Sequence, residues 1–306
     1  MPESYALSGA VQEVHDPCIT KAGDTYHLFS TGPHVWWRTS LDLKEWELQG
    51  GVFGVRPSWT RKEVPGADSL WAPDISYYNG KYHLYYSVST YGSNRSCIGL
   101  ATNATLDPQS PEYQWVDEGK VIESNLADNW NAIDPNLIVD EDNQPWLAFG
   151  SFWSGIKMRR IDSATGKPSS DDEELYSLAR RDQIPDTSGA IEAPFIIRHE
   201  DYYYLFVSFD FCCKGTLSTY RIMVGRAGQV TGPYYDQEGT EMLSGGGTLV
   251  LEGNDRWRGP GHNAVLQETG GDKLVYHAYD AQAAGIPTLR ISPIVWGADG
   301  WPTAKL

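Results

Sequence analysis

Apolar and aromatic positions fall in short runs with strand-like alternation, each closed by Gly, Asn, Asp or Pro, while helix caps and long 3.6-residue periods are scarce. This pattern predicts an all-β protein. Five of the runs align: VHDPCITKAGDTYHLFSTG from residue 14, LWAPDISYYNGKYHLYYSVS from 70, AIDPNLIVDEDNQPWLAFGS from 132, IEAPFIIRHEDYYYLFVSFD from 191 and GHNAVLQETGGDKLVYHAYD from 261. Each opens on a few special residues, runs on as an apolar strand, turns at Gly, Asp or Asn, and returns as a strand carrying aromatic residues. That is a β-hairpin unit. With Pro17, Pro73, Pro135, Pro194 and Ala264 taken as equivalent, the units lie 56 to 70 residues apart, which leaves room for four strands in each. Stretches such as IGLATNATLDP and RIMVGRAGQVTGPYYD supply the third and fourth strands. The expected architecture is a five-bladed β-propeller with four antiparallel strands per blade, occupying residues 1–306 as one domain. Radial repetition of this kind leaves only short, protected sheet edges.

Composition narrows the partners. A set of 40 acidic against 24 basic residues gives a formal charge of −16, and no Lys/Arg cluster offers a surface for phosphate. Nucleic acid is therefore a poor candidate partner, and the acidic surface argues against a polyanionic substrate although a solvated exterior needs no functional explanation; neutral substrates stay open. No stretch approaches the ~20 apolar residues that cross a bilayer, so no membrane partner is expected. The N-terminal MPESYALSGA lacks a basic segment followed by an apolar one, which suits a mature secreted chain or a cytoplasmic one. Of four cysteines, the adjacent Cys212 and Cys213 could pair only as a vicinal disulfide; buried free thiols are the expectation for all four, with Cys18 and Cys97.

In a propeller the first strand of each blade lies innermost, so the residues that open the repeats converge on the axis. Before the aligned prolines stand Asp16, Ala72, Asp134 and Ala193, with Asn263 in the fifth repeat; one position earlier stand His15, Trp71, Ile133, Glu192 and His262. An isolated Asp-Pro is a common turn initiator. Three acids gathered at one end of a repeat are different, because like charges brought together raise one another's pKa. Glycoside hydrolysis uses such a set: one carboxyl stays protonated to donate to the leaving oxygen, and an ionised one activates water on the opposite face of the sugar. Aromatic neighbours suit the apolar faces of sugar rings.

The motifs HDP at Asp16, WAPD at 71–74, STYGSN at 89–94, AIDPNL at Asp134, GSFWSG at 150–155, IEAPF at Glu192 and GPGHN at His262 resemble, in order, those of the endo-α-1,5-L-arabinanases of glycoside hydrolase family 43. The resemblance runs from about residue 14 to 280. It implies a five-bladed propeller and hydrolysis of internal α-1,5-L-arabinofuranosyl bonds of arabinan with inversion. It also implies Asp16 as general base, Glu192 as general acid, and Asp134 as the residue that tunes and orients the acid. Trp71 and Tyr91 resemble aromatic residues beside the cleaved bond, although the family often has Phe where Tyr91 stands. Phe152, Trp153 and Asn131 are further sugar-contact candidates, Asn131 with a turn cap as its preferred alternative. His262 resembles a histidine near a central ion, commonly calcium, held mostly by water. His15 is expected to serve as a hydrogen-bonding histidine, and His277 to belong to the core or rim. A monomer acting on arabinan and arabino-oligosaccharides is expected, without an organic cofactor, and secretion is expected from the location of that polymer. Two rival functions are an exo-acting α-L-arabinofuranosidase or β-xylosidase of the same family, and a non-catalytic carbohydrate-binding propeller.

Overall fold

In the computed structural model, which describes residues 4–182 and 188–306, each aligned segment forms the first two strands of one antiparallel sheet. Blade 1 comprises Cys18–Ala22, Thr25–Ser30, Trp36–Ser40 and Glu45–Gly51; blade 2 comprises Trp71–Tyr78, Lys81–Val88, Ser96–Asn103 and Val116–Ser124. Blade 3 is built from Asn136–Val139, Pro145–Phe149, Ile156–Arg160 and Tyr176–Ala179, and blade 4 from Ile191–His199, Tyr202–Phe209, Arg221–Ala227 and Thr248–Leu251. Blade 5 has three strands, Trp257–Leu266, Lys273–Asp280 and Ile286–Pro293. Each first strand touches the first strands of both neighbouring blades, round a closed circle. The chain is an all-β, five-bladed β-propeller.

Two blades depart from the expected four antiparallel strands. Blade 1 gains a fifth strand, Ser8–Gly9, which runs parallel to Glu45–Gly51. Blade 5 lacks a fourth regular strand, and the N-terminal segment takes its place through the bonds Leu289 N to Val11 O (2.8 Å), Val14 N to Pro287 O (3.1 Å) and Tyr5 N to Ile291 O (2.8 Å). The start of the chain thereby joins the first blade to the last. The fourth strands of blades 2 and 4 also lie further along than IGLATNATLDP and RIMVGRAGQVTGPYYD; those stretches supply the third strands, followed by turns.

Burial follows from the stacking of blades. The second strands, TYHLFS, KYHLYYSV, PWLAF, YYYLFVSF and KLVYHAYD, are buried along nearly their whole length because each blade is covered on both faces. The fourth strand of blade 1, EWELQGG, by contrast faces water and buries only Trp46. Four apolar clusters fill the spaces between successive blades.

The opening residue of each repeat breaks its own ladder. Asp16, Ala72, Asp134, Ala193 and His262 all have left-handed backbone, with φ between 43 and 57°. In blades 2, 4 and 5 they sit in β-bulges, where the strand register shifts between Trp71 and Asp74, Glu192 and Phe195, and Gly261 and Ala264. His262, not Asn263, is thus the fifth member of the set, and Asn263 takes the place of the prolines. The bulged N–H has no partner in its own sheet and turns to the preceding blade. Asp16 N donates to His277 Nδ1 (3.1 Å), Ala72 N to Thr31 Oγ1 (2.8 Å) and Asp134 N to Ser87 Oγ (2.9 Å). Ala193 N donates to Asp134 Oδ2 (3.1 Å) and His262 N to Ser208 Oγ (2.8 Å). The five bonds link every blade to the one before it.

Blade 3 explains why one acceptor is a carboxylate. The position held elsewhere by Thr31, Ser87, Ser208 or His277 is Gly150 there, with φ 135°, and a Cβ would meet Gly155 O at 2.6 Å. No side chain fits, so Asp134, two residues before the first strand, supplies the oxygen. We expect Ser208→Ala, which orphans the buried His262 N–H, to destabilise the fold by about 1–3 kcal/mol in urea unfolding; an unchanged midpoint would show that the ring does not need this link.

Candidate active site

The five left-handed openings gather side chains from every blade round one cleft of about 730 Å³. Asp16, Asp134, Glu192 and His262 line it, as do Trp71, Tyr91, Asn131, Phe152 and Trp153. All the residues singled out from the sequence therefore meet at one end of the propeller. Tyr91 stands at the rim, 78% exposed, and Trp71 is half-buried. Phe152 and Trp153 hold consecutive left-handed conformations, with φ of 52 and 41°, an unusual posture for bulky residues that the GSFWSG turn enforces. Asn131 is buried and its Oδ1 has no protein partner, so the expected turn cap is not made through that atom.

The three acids are all buried, yet their surroundings treat them differently. Around Asp16, burial alone would favour the neutral form. It is outweighed by His15, whose Nδ1 lies 2.7 Å from Oδ1, and by His262, whose Nδ1 lies 3.1 Å from the same oxygen. Thr31 donates to Oδ2 at 2.6 Å. Asp16 is consequently held well below the usual carboxylate range and is ionised.

Glu192 lacks a cationic contact of that kind. Burial first, and the negative charge of Asp134 second, push its pKa up to about 8. Ser151 Oγ donates to Oε2 at 2.5 Å and the Tyr220 hydroxyl to Oε1, which fixes the carboxyl in place. Asp134 is itself raised to about 6, mainly by burial. His262 is raised to about 9: burial opposes its charge, but Asp16, then Asp134 and Glu192, favour it more strongly. At neutral pH one cleft thus holds both an ionised acid, Asp16, and a protonated one, Glu192.

Several of these partners were not singled out from the sequence as site residues. His15 is a hydrogen-bonding histidine as expected, but its partners are Asp16 and the Tyr279 hydroxyl (2.8 Å), which puts it in the site. His277 is fully buried, stacks on His15 with centroids 3.9 Å apart, and accepts the Asp16 N–H; burial keeps it well below the ordinary histidine pKa. Adjacency to Asp16 could have flagged His15, and position within GSFWSG could have flagged Ser151. Tyr220 carries no local signal. The expectation of free thiols holds for Cys18 and Cys97 and fails for Cys212 and Cys213, which form a disulfide in the wall of the cleft.

The ion that the resemblance places near His262 was tested against the donors present. Nδ1 of His262 is turned to Asp16 at 3.1 Å, and among the described residues the ligating cluster that it meets through Asp16 is His15, Asp16 and His277, which offers two ring nitrogens and one carboxylate. Calcium-class ions take six to eight oxygens. The residues do not by themselves build such a site, and no step below is routed through an ion.

A cluster of acids at one end of a five-bladed propeller agrees with the comparison to known families. The model of the glycosyl hydrolases family 43 matches residues 10–302. The chain belongs to family 43. Among curated proteins, an extracellular endo-α-(1→5)-L-arabinanase of Bacillus subtilis is 47% identical over 99% of this chain and 91% of its own length. An extracellular exo-α-(1→5)-L-arabinofuranosidase of Cellvibrio japonicus is 46% identical over 98% of this chain and 88% of its own. Among solved structures, a Cellvibrio cellulosa α-L-arabinanase complexed with arabinohexaose superposes with a TM-score of 0.91 at 43% identity, covering 96% of both chains.

If Asp134 supports the Glu192 proton by like-charge repulsion, its removal has a definite sign. In the free family 43 protein, Glu192 is expected to lose its proton near pH 8 in an infrared carboxyl titration, and Asp134→Asn is expected to move that step to lower pH. An unmoved step would assign the shift to burial alone.

Proposed function

We propose that this protein is an inverting α-1,5-L-arabinanase that cleaves arabinan internally. The observation that carries the reading is the pairing, in one cleft, of an acid held protonated, Glu192, with an acid held ionised, Asp16. Inverting hydrolysis needs both at once. Asp16 takes the proton of a water molecule as that water attacks the anomeric carbon, while Glu192 gives its proton to the departing glycosidic oxygen. No covalent intermediate forms. Afterwards Asp16 carries the proton and Glu192 is ionised, and exchange with solvent restores the starting state. Asp134 keeps the Glu192 proton in place by its charge. His15 and His262 position Asp16 and stabilise its ionised form.

Arabinan as substrate is supported by the names of the two curated relatives, an α-(1→5)-L-arabinanase and an α-(1→5)-L-arabinofuranosidase, and by the arabinohexaose complexed with the similar structure. Internal cleavage is supported by the lining of the cleft: exposed Tyr91 and exposed Cys213 and Lys214 all belong to it, a surface suited to a chain that continues past the cleaved bond. The second reading, exo-cleavage with the same acids, is favoured by the nearly equal identity to the exo-acting relative. Loops 50–70 and 162–190 would leave the cleft open or close one end of it; the first carries the short helix Trp59–Glu63, and residues 183–187 of the second lie outside the described residues. Secretion is supported by the extracellular relatives and by the Cys212–Cys213 disulfide.

On linear α-1,5-arabinan, early products are expected to be mixed oligosaccharides, with the β-anomer of the new reducing end appearing first in proton NMR. Glu192→Ala is expected to lower kcat by roughly 10²–10⁴-fold, the usual worth of a positioned general acid. A single short product from the first time point would select the exo reading. The α-anomer as first product would remove the inverting mechanism.

A further inference from the structure

The mechanism above makes no use of sulfur, yet Cys212 and Cys213 are joined to one another in the wall of the cleft. Cys212 is half-buried, Cys213 is exposed, and Cys213 has left-handed backbone at φ 66°. The pair is held in place from several sides. Cys213 N donates to the Tyr279 hydroxyl at 2.8 Å, and that hydroxyl also bonds His15 Nε2 at 2.8 Å. Cys213 Sγ lies 3.7 Å from the same His15 nitrogen, and His15 is the residue that holds Asp16. On the other side, Phe211 meets Phe152 across the cleft with centroids 6.2 Å apart, and Lys214 N donates to Ser218 Oγ at 3.0 Å. The disulfide is therefore fixed beside the proposed base by hydrogen bonds and ring contacts.

A disulfide at such a place has distinct surface chemistry. It presents two polarizable sulfurs and no N–H or O–H group, so water gains little by wetting it and dispersion contact is favoured. A covalent ring formed by neighbouring residues also has few conformations to lose when a ligand packs on it, which is the benefit of preorganisation. A furanose ring offers a matching carbon–hydrogen face, with its hydroxyls left free for polar partners such as the unpartnered Asn131 Oδ1.

We propose that the Cys212–Cys213 disulfide is a sugar platform, with its sulfurs packing on the apolar face of an arabinofuranosyl ring in the subsite beside Asp16. The proposal rests on the arabinan reading and gives the disulfide a binding role in addition to a structural one. Opening the disulfide replaces a fixed apolar surface with two mobile thiols, or two hydroxyls, and loosens the Cys213 N–H from Tyr279.

The test uses the full chain carrying Glu192→Gln, which binds without turnover, and linear α-1,5-arabino-oligosaccharide as probe in calorimetry. Affinity is measured for the oxidised protein, for the protein after mild reduction, and for Cys212→Ser/Cys213→Ser. Native thiol titration reports opening, since Cys18 and Cys97 are buried. We expect opening to weaken binding about tenfold, the size of a good ring contact, and reoxidation to restore it. In the otherwise wild-type enzyme KM is expected to rise by a similar factor with kcat changed less. Equal affinity in the oxidised and reduced forms would overturn the platform while leaving the arabinan reading intact. Absence of binding by the oxidised protein would overturn the arabinan reading, and the platform with it. If the double variant fails to fold, the reversible reduction decides the question.

Discussion

Everything at the functional end of this propeller depends on five backbone N–H groups that cannot be satisfied within their own sheets. A buried donor left unpaired costs of the order of 1–3 kcal/mol, so each bulge must find an acceptor. Left-handed backbone at Asp16, Ala72, Asp134, Ala193 and His262 points each N–H at the blade before, and Thr31, Ser87, Asp134, Ser208 and His277 receive them. The same backbone turn that creates the problem aims the opening side chains at the axis. Proline after four of these five left-handed residues limits the cost, because it adds no second N–H to be satisfied. Fold closure and site assembly are thus one event.

The ring also explains how the acids come to be gathered at one end of the propeller. Asp134 serves as a ring acceptor because Gly150 leaves no room for a side chain, so its carboxylate has a structural hydrogen bond as well as an electrostatic effect on Glu192. His277 serves as the acceptor for Asp16 N, which requires a neutral ring with Nδ1 free of a proton, and its depressed pKa agrees. His15 and the ring member His262 then meet the Asp16 carboxylate. Buried charge is tolerated where it is paired and hydrogen-bonded, and Glu192, which has hydroxyl donors but no such ion pair, is the acid that keeps its proton.

Blade stacking supplies the rigidity that this chemistry needs. The second strands that carry the acceptors are buried on both faces, and the N-terminal segment locks blade 5 to blade 1 on either side of Asp16. The walls of the cleft come from the connections between strands, namely Ser89–Ser93, Ser151–Trp153 and Phe211–Lys214. Specificity for one sugar polymer and mode of attack can therefore vary in these connections while the acids stay fixed on the bulges. Relatives that share this scaffold at 46 and 47% identity yet carry exo and endo names are consistent with that division.

The hairpin period, the five blades and the convergence of Asp16, Asp134 and Glu192 were all legible in the sequence. The reason is that strand, turn and bulge chemistry are local, and a repeat makes a local signal visible five times. The fifth repeat shows the limit: without a proline, the alignment put Asn263 where His262 stands, since a one-residue bulge shifts register without changing the hydrophobic pattern. Closure by the N-terminal segment was equally hidden, because its partner strand lies at the far end of the chain. So were the bonding of Cys212 to Cys213 and the contacts of Tyr220 and Tyr279. The sequence by itself determined which residues meet at the axis, since that follows from their place in the repeat. Only the tertiary structure decided which acid holds a proton, because that balance is set by burial and by charges arriving from other blades.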